Sequence, residues 1–160
     1  MVKDDSGHSR YRRPFRVLIV DDNRDAADSL AMLIRLWGHE AQTAYGGGAG
    51  LELASAFSPD CCLLDISMPD MDGYAVARRI RSRPEFAGAK LVALSAYSSE
   101  EHRRRALEAG FDHCFVKPAD PSALEGLLTM LLQALRLAER TEALAEKNVQ
   151  IAEETKELLT

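Results

Sequence analysis

Long apolar runs are missing from this sequence. The longest extend only about five or six residues, far short of the roughly 20 that cross a bilayer, and the N-terminus lacks the apolar core of a secretory signal. Neither a membrane span nor secretion is indicated, and the chain is read as cytoplasmic. An excess of positive charge is missing too. The formal net charge is −5, which argues against nucleic-acid binding by the whole protein. Arg10 to Pro14 (RYRRP) still forms a small basic cluster; residues 1–13 are read as a disordered, solubilising leader. Cysteine is scarce, and Cys61, Cys62 and Cys114 show no C-x-x-C spacing. Neighbouring strand residues point to opposite faces, so all three are expected to be small buried hydrophobes rather than metal ligands or disulfide partners.

What is present is ordinary for a globular protein: 46% apolar and 28% charged residues over a length of 160, enough for one domain plus an extension. Short β-branched or apolar runs alternate with segments of helical period. FRVLIV is followed by NRDAADSLAMLIRLWG, in which Ala27, Leu30, Ala31, Ile34 and Trp37 recur at helical spacing before a glycine stop. HEAQTAY meets a turn-like Gly46–Gly48, and AGLELASAF then has helical period up to Pro59. CCLLD and the loop ISMPDMDG lead into YAVARRIRS, where Val76 and Ile80 share a face. KLVALSA and HCFVKP are two further strands, separated by a helix capped at Ser98 or Ser99 and stopped at Gly110. A last helix begins near Pro121. Five strand–helix alternations predict a doubly wound α/β fold, because parallel strands need crossovers and right-handed crossovers put helices on both faces.

Ligands of such sheets bind beyond the carboxyl ends of the strands. There the sequence places Asp21 and Asp22 after the first strand, Asp65 at the third, Ser95 at the fourth and Lys117 at the fifth. Three close carboxylates repel one another unless a cation intervenes, and an all-oxygen set suits a hard ion such as Mg²⁺ (or Mn²⁺), which keeps positions for water or phosphate oxygens. A lysine and a hydroxyl beside that ion could neutralise and orient a transferring phosphoryl group, with one carboxylate as nucleophile.

VLIVDDN, LLDISMPDMDG, LSA and FVKP, in this order and spacing, resemble the response-regulator receiver domain of two-component signalling over about residues 14–134. The resemblance implies a flavodoxin-like five-stranded parallel sheet of order 2-1-3-4-5. It implies that Asp65 accepts a phosphoryl group from the phosphohistidine of a sensor histidine kinase or phosphotransfer protein. Asp22, Asp65 and the backbone carbonyl of Ser67 would ligate Mg²⁺, Asp21 would act largely through a bound water, Lys117 would bridge to the phosphoryl group, and Ser95 would move to bond it. Such a chain is a signalling protein rather than an enzyme, apart from limited self-phosphorylation and autodephosphorylation. Pro69 would stiffen the loop after the nucleophile, Gly73 would permit a tight start to the next helix, and Pro118 often follows a cis peptide in this family. One departure stands out: the switch position three residues before the lysine, commonly aromatic, is Cys114, which has no ring to swing. Tyr97 and Ser67 occupy the positions that in this family flank the acyl phosphate.

Neither Pro nor Gly follows Gly126, so helix is expected to the end. Met130, Leu137, Leu144, Ile151 and Leu158 repeat every seven residues, with Ala134, Thr141, Asn148 and Thr155 at the partner positions. With the first series at d, Asn148 falls at a, where Asn favours a two-stranded register. Residues 135–160 are therefore expected to form a helical extension and parallel coiled-coil homodimer, in a stand-alone receiver. Two other readings remain: a phosphorylation-insensitive coiled-coil adaptor, and a metal-dependent aspartyl phosphatase. The latter needs an acid two residues beyond its nucleophile, where Asn23 and Arg24 stand.

Overall fold

A computed structural model describes residues 13–160. Residues 1–12 of the expected leader, with most of the basic Arg10–Pro14 cluster, lie outside the described residues; its last residue, Arg13, pairs with Asp60 Oδ1 at 2.7 Å. Ten main elements alternate: β1 (Arg16–Val20), α1 (Arg24–Leu36), β2 (Glu40–Ala44), α2 (Gly47–Phe57), β3 (Cys61–Asp65), α3 (Gly73–Arg81), β4 (Lys90–Ser95), α4 (Glu100–Ala109), β5 (His113–Val116) and α5 (Pro121–Leu158). A 3-10 turn, Pro84–Phe86, precedes β4. The strands form one parallel sheet in the order β2-β1-β3-β4-β5, as expected. Two compact units divide the chain, one ending at Ala119 and the other spanning Asp120–Thr160.

The central strands are nearly unbroken apolar runs because they are buried on both faces and need no polar alternation. Leu18, Val20, Cys62, Leu64, Leu91 and Ala93 face a core shared with Leu51, Ala54 and Phe57 of α2, Val76, Ala77 and Ile80 of α3, and Ala106 and Ala109 of α4. Val17, Ile19, Cys61 and Leu63 alternate to the opposite face and are fully buried; α1 packs against β1 and β2. Burial pushes the Cys62 thiol up to about 12 and Cys61 well above its ordinary value, so both behave as core hydrophobes. Cys114 corrects the expectation of a third buried cysteine: it is exposed. β5 is an edge strand, and its alternating half-buried and exposed pattern leaves that thiol on the outer side.

Local chemistry ends the helices, at α4 where the sequence suggested. Asn23 caps α1 through Ala26 N, Ser99 caps α4, and Gly110 closes α4 at φ +104°. The turn expected at Gly46–Gly48 is a helix start instead, since Gly46 is the N-cap and Gly47 and Gly48 begin α2. Closeness, not a turn, accounts for two glycines of this helix. A Cβ on Gly47 would meet Met71 Cβ and Val76 Cγ2 at 2.9 Å, and one on Gly50 would meet Val20 Cγ2 at 2.8 Å. The helix therefore lies almost backbone-to-side-chain on its neighbours.

The second unit is one uninterrupted helix of 38 residues. Leu124, Leu128 and Leu131 are buried, while Met130, Leu137, Leu144, Ile151 and Leu158 are at least half exposed. No helix among the described residues is long and apolar enough to cross a membrane.

Candidate phosphoacceptor and metal site

The parallel register delivers the acids and the lysine to one edge of the sheet. Asp21 follows β1 directly, and its N–H still donates to Ala44 O of β2 at 3.1 Å. Asp65 is the last residue of β3, paired with Leu94 of β4. Ser95 ends β4, and its carbonyl accepts the Lys117 N–H at 2.8 Å, which pins the lysine backbone where β5 finishes. The Lys117–Pro118 peptide is cis.

From that anchor Lys117 reaches back across the sheet. Its Nζ donates to Asp21 Oδ2 at 2.9 Å and lies 3.1 Å from Asp65 Oδ1. Both carboxylates are nearly inaccessible, at 3% and 4% residue exposure, whereas Asp22 is exposed. One oxygen from each of Asp21, Asp22 and Asp65 lies within 4.8 Å of the others. Three hard oxygen donors at that separation fit a hard divalent cation, and the exposed Asp22 leaves a route from solvent.

The electrostatics follow from sharing one ammonium between two buried carboxylates. Burial, aided by the Asp21 charge, lifts Asp65 to about 6 against the opposing pull of the Lys117 hydrogen bond and the Ser67 N–H. For Lys117, burial favours the neutral amine, but Asp21 and Asp65 together outweigh it and raise its pKa. The lysine is thus firmly charged, while burial, more than the Asp21 charge, holds Asp65 above its ordinary value.

The remaining expected residues fall around this centre. Ser67, exposed, donates its N–H to Asp65 Oδ1 at 3.3 Å, and Asn23 N–H donates to Asp21 Oδ1 at 3.0 Å. Ser95 is buried, and its Oγ accepts the Tyr97 N–H at 3.0 Å. Tyr97 is exposed and stacks on His102 at 4.8 Å, inside the first turn of α4. Cys114 stands mid-strand opposite Ala93, away from the strand end that carries Lys117. Partial shielding raises its thiol pKa despite the Arg103 charge, which does not favour a reactive thiolate.

Three contributors were not anticipated in these roles. Asp72 caps α3 by accepting the Ala75 N–H at 2.9 Å; an acid directly before the helix-starting Gly73 was the available signal. Gly73 itself lies so close to β3 that a Cβ there would stand 2.4 Å from Asp65 O. Tyr74, buried beside it, meets Phe111 edge-on at 6.4 Å and lies under Arg105 of α4 at 4.5 Å. The backbone of Asp65, the start of α3 and the side of α4 are thereby in continuous contact.

Against this geometry, comparison with known proteins is consistent. The family model described as the response regulator receiver domain matches residues 17–129. The uncharacterized 14.6 kDa protein in the sodA1 3′ region of Leptolyngbya boryana is 34% identical over 108 residues, 68% of this chain and 82% of that protein. The transcriptional regulatory protein PrrA of Mycobacterium leprae is 42% identical over 103 residues; the match covers 64% of this chain but only 43% of PrrA. The crystal structure of a CheY-like response regulator receiver domain protein from Methanospirillum hungatei superposes with a TM-score of 0.72 at 28% identity, covering 79% of this chain and 99% of the other.

Proposed function

Because the chain belongs to the response regulator receiver domain family, we propose that it is switched by phosphorylation of Asp65. The observation that carries this reading is the buried Asp65 carboxylate held 3.1 Å from Lys117 Nζ within a cluster of three acids. An Asp65 oxygen attacks phosphorus while the phosphorus–nitrogen bond to a donor imidazole breaks, leaving an acyl phosphate on the protein and the nitrogen's electron pair on the imidazole. The donor is a sensor histidine kinase or phosphotransfer protein. Mg²⁺ (or Mn²⁺) supplies positive charge to the phosphoryl oxygens when bound; Asp22, Asp65 and the Ser67 carbonyl would hold it, and Asp21 would orient a water on it. Lys117 neutralises a further oxygen, and the Ser95 hydroxyl bonds another. In this reading the receiver spans residues 14–134, acts in the cytoplasm, and controls contacts of a homodimer formed through the helical extension 135–160. Cys114 leaves the Ser95 movement and α4 to carry the switch without a swinging ring.

Labelling tests it. Incubation with Mg²⁺ and a small phosphodonor should place acid-labile phosphate on wild type and Asp70→Asn but not on Asp65→Asn. Asp70 sits at φ +66°, a conformation Asn tolerates, so the control keeps its loop. Equal labelling of both variants would refute the assignment, and turnover of a phosphate monoester far beyond one equivalent would favour the phosphatase.

A further inference from the structure

The distal part of α5 is a sequence repeat. LAERTEA, LAEKNVQ, IAEETKE and LLT begin at Leu137, Leu144, Ile151 and Leu158. Over this stretch every residue but the half-buried Glu139 is exposed, and the helix runs on unbroken. Isolated helices are marginal in water, so roughly 35 Å of exposed helix with an apolar stripe calls for a partner.

The stripe is three rows wide. The Leu and Ile row and the row of Ala138, Ala145 and Ala152 flank a middle row of Thr141, Asn148 and Thr155. The two threonines are less polar than their names suggest. Their hydroxyls donate back to Leu137 O at 2.9 Å and Ile151 O at 2.7 Å, which satisfies them within the helix. Only Asn148 needs an outside partner on this face.

Charge borders the stripe asymmetrically. Beside the leucines run Arg140, Lys147 and Glu154; beyond the alanines run Glu142, Val149 and Lys156. Both borders change sign between their first and last members, in opposite senses. Resting on the dimer reading above, we propose that the partner is a second copy of this helix, parallel and in register, with Arg140 against Glu142 and Glu154 against Lys156 of the other copy. The alanines are short enough for these side chains to reach across them. Lys147 then meets the neutral Val149, and Asn148 meets its own copy, donor to acceptor. An antiparallel pair keeps some opposite charges together but sets Lys147 against Lys147 and leaves Asn148 facing an aliphatic side chain.

Mixing two full-length charge variants separates these arrangements. Arg140→Glu and Glu142→Arg each turn two attractive surface pairs into two repulsive ones and should weaken the homodimer about tenfold by sedimentation equilibrium. Circular dichroism at concentrations where each still dimerises should show their helix content unchanged. Mixed together, they should form a heterodimer at least as tight as wild type, because every 140–142 pair becomes opposite in sign. Heterodimer at only the statistical fraction would overturn the parallel register while leaving a dimer. Wild type that sediments as a monomer at about 100 μM would overturn the dimer reading itself, and this inference with it.

Discussion

Gly73→Ala tests whether the start of α3 is built onto the backbone of Asp65. The new methyl carbon would stand 2.4 Å from Asp65 O, 2.8 Å from Ile66 Cα and 3.0 Å from Asp65 C. All three are main-chain atoms, so no side chain can rotate out of the way; β3 and α3 must part. The φ of Gly73 is not among the positive values, so the cost comes from contact rather than from backbone strain. Overpacking of this kind costs about 1–3 kcal/mol, and a backbone obstacle places it near the upper end, about 3 kcal/mol. Urea unfolding should show a lower midpoint at unchanged slope, and phosphodonor labelling should slow, because the displaced strand end carries the Asp65 carboxylate away from Lys117. Gly48→Ala is the matched control: it lies in α2 with nothing within 4 Å of its Cβ position, and should stabilise by up to about 1 kcal/mol through helix propensity. A Gly73→Ala protein within about 0.5 kcal/mol of wild type and labelled at the wild-type rate would refute the argument.

Two further outcomes follow from the electrostatics and from the opposite end of the sheet. Asp65 holds its proton up to about pH 6 in the folded chain against 3.8 ordinarily. Its contribution is therefore fully present below the lower value and declines as pH rises to the higher, by at most about 3 kcal/mol. Asp65→Asn abolishes that decline, so the variant's unfolding midpoint should match wild type near about pH 4 and exceed it at about pH 7; a variant weaker than wild type at neutral pH would contradict this. Arg81 donates to Gly110 O at 2.9 Å, Ala89 O at 2.7 Å and Asp112 Oδ2 at 2.7 Å, joining α3 to the segments that enter β4 and β5. Arg81→Ala should cost about 2 kcal/mol with phosphodonor labelling intact, and Arg81→Lys should recover little because one ammonium cannot reproduce the fork. Full recovery with lysine would show that charge alone matters there.

The strands and most helix ends were legible because each rests on local signals: VLIV, CCLLD and LVALS read as buried strands, Ser98 or Ser99 as a cap and Gly110 as a stop. The site was legible for a different reason. In a parallel sheet every strand delivers its last residue to the same edge, so Asp21, Asp65, Ser95 and Lys117 could be grouped without knowing a single distance. What stayed hidden depends on neighbours distant in sequence. Gly47 and Gly73 look like turn punctuation, yet Gly47 answers to Met71 and Val76 and Gly73 to the backbone at Asp65. Cys114 reads like Cys61 and Cys62, and only the edge position of β5 exposes it. Thr141 and Thr155 read as polar intrusions in a seam until their hydroxyls are seen to bond inside the helix.

Counted as formal charges, Asp21, Asp22 and Asp65 bring three negatives and Lys117 one positive, which leaves the cluster two short of neutrality. A divalent ion closes that difference and a monovalent one does not, so the acid set is matched to ionic valence as well as to oxygen chemistry. In the proposed phosphorylated state Asp65 exchanges its single charge for about two. One negative charge then stands unmatched even with the metal in place. It falls to uncharged donors, the Ser67 N–H and the Ser95 hydroxyl, to meet it. That hydroxyl accepts from the Tyr97 N–H but still has its proton to give. Giving it would tie the excess charge to the loop that stacks Tyr97 on His102, and so to the first turn of α4. In those terms the message of the proposed phosphorylated state would be one surplus electron charge and the dipoles recruited to face it.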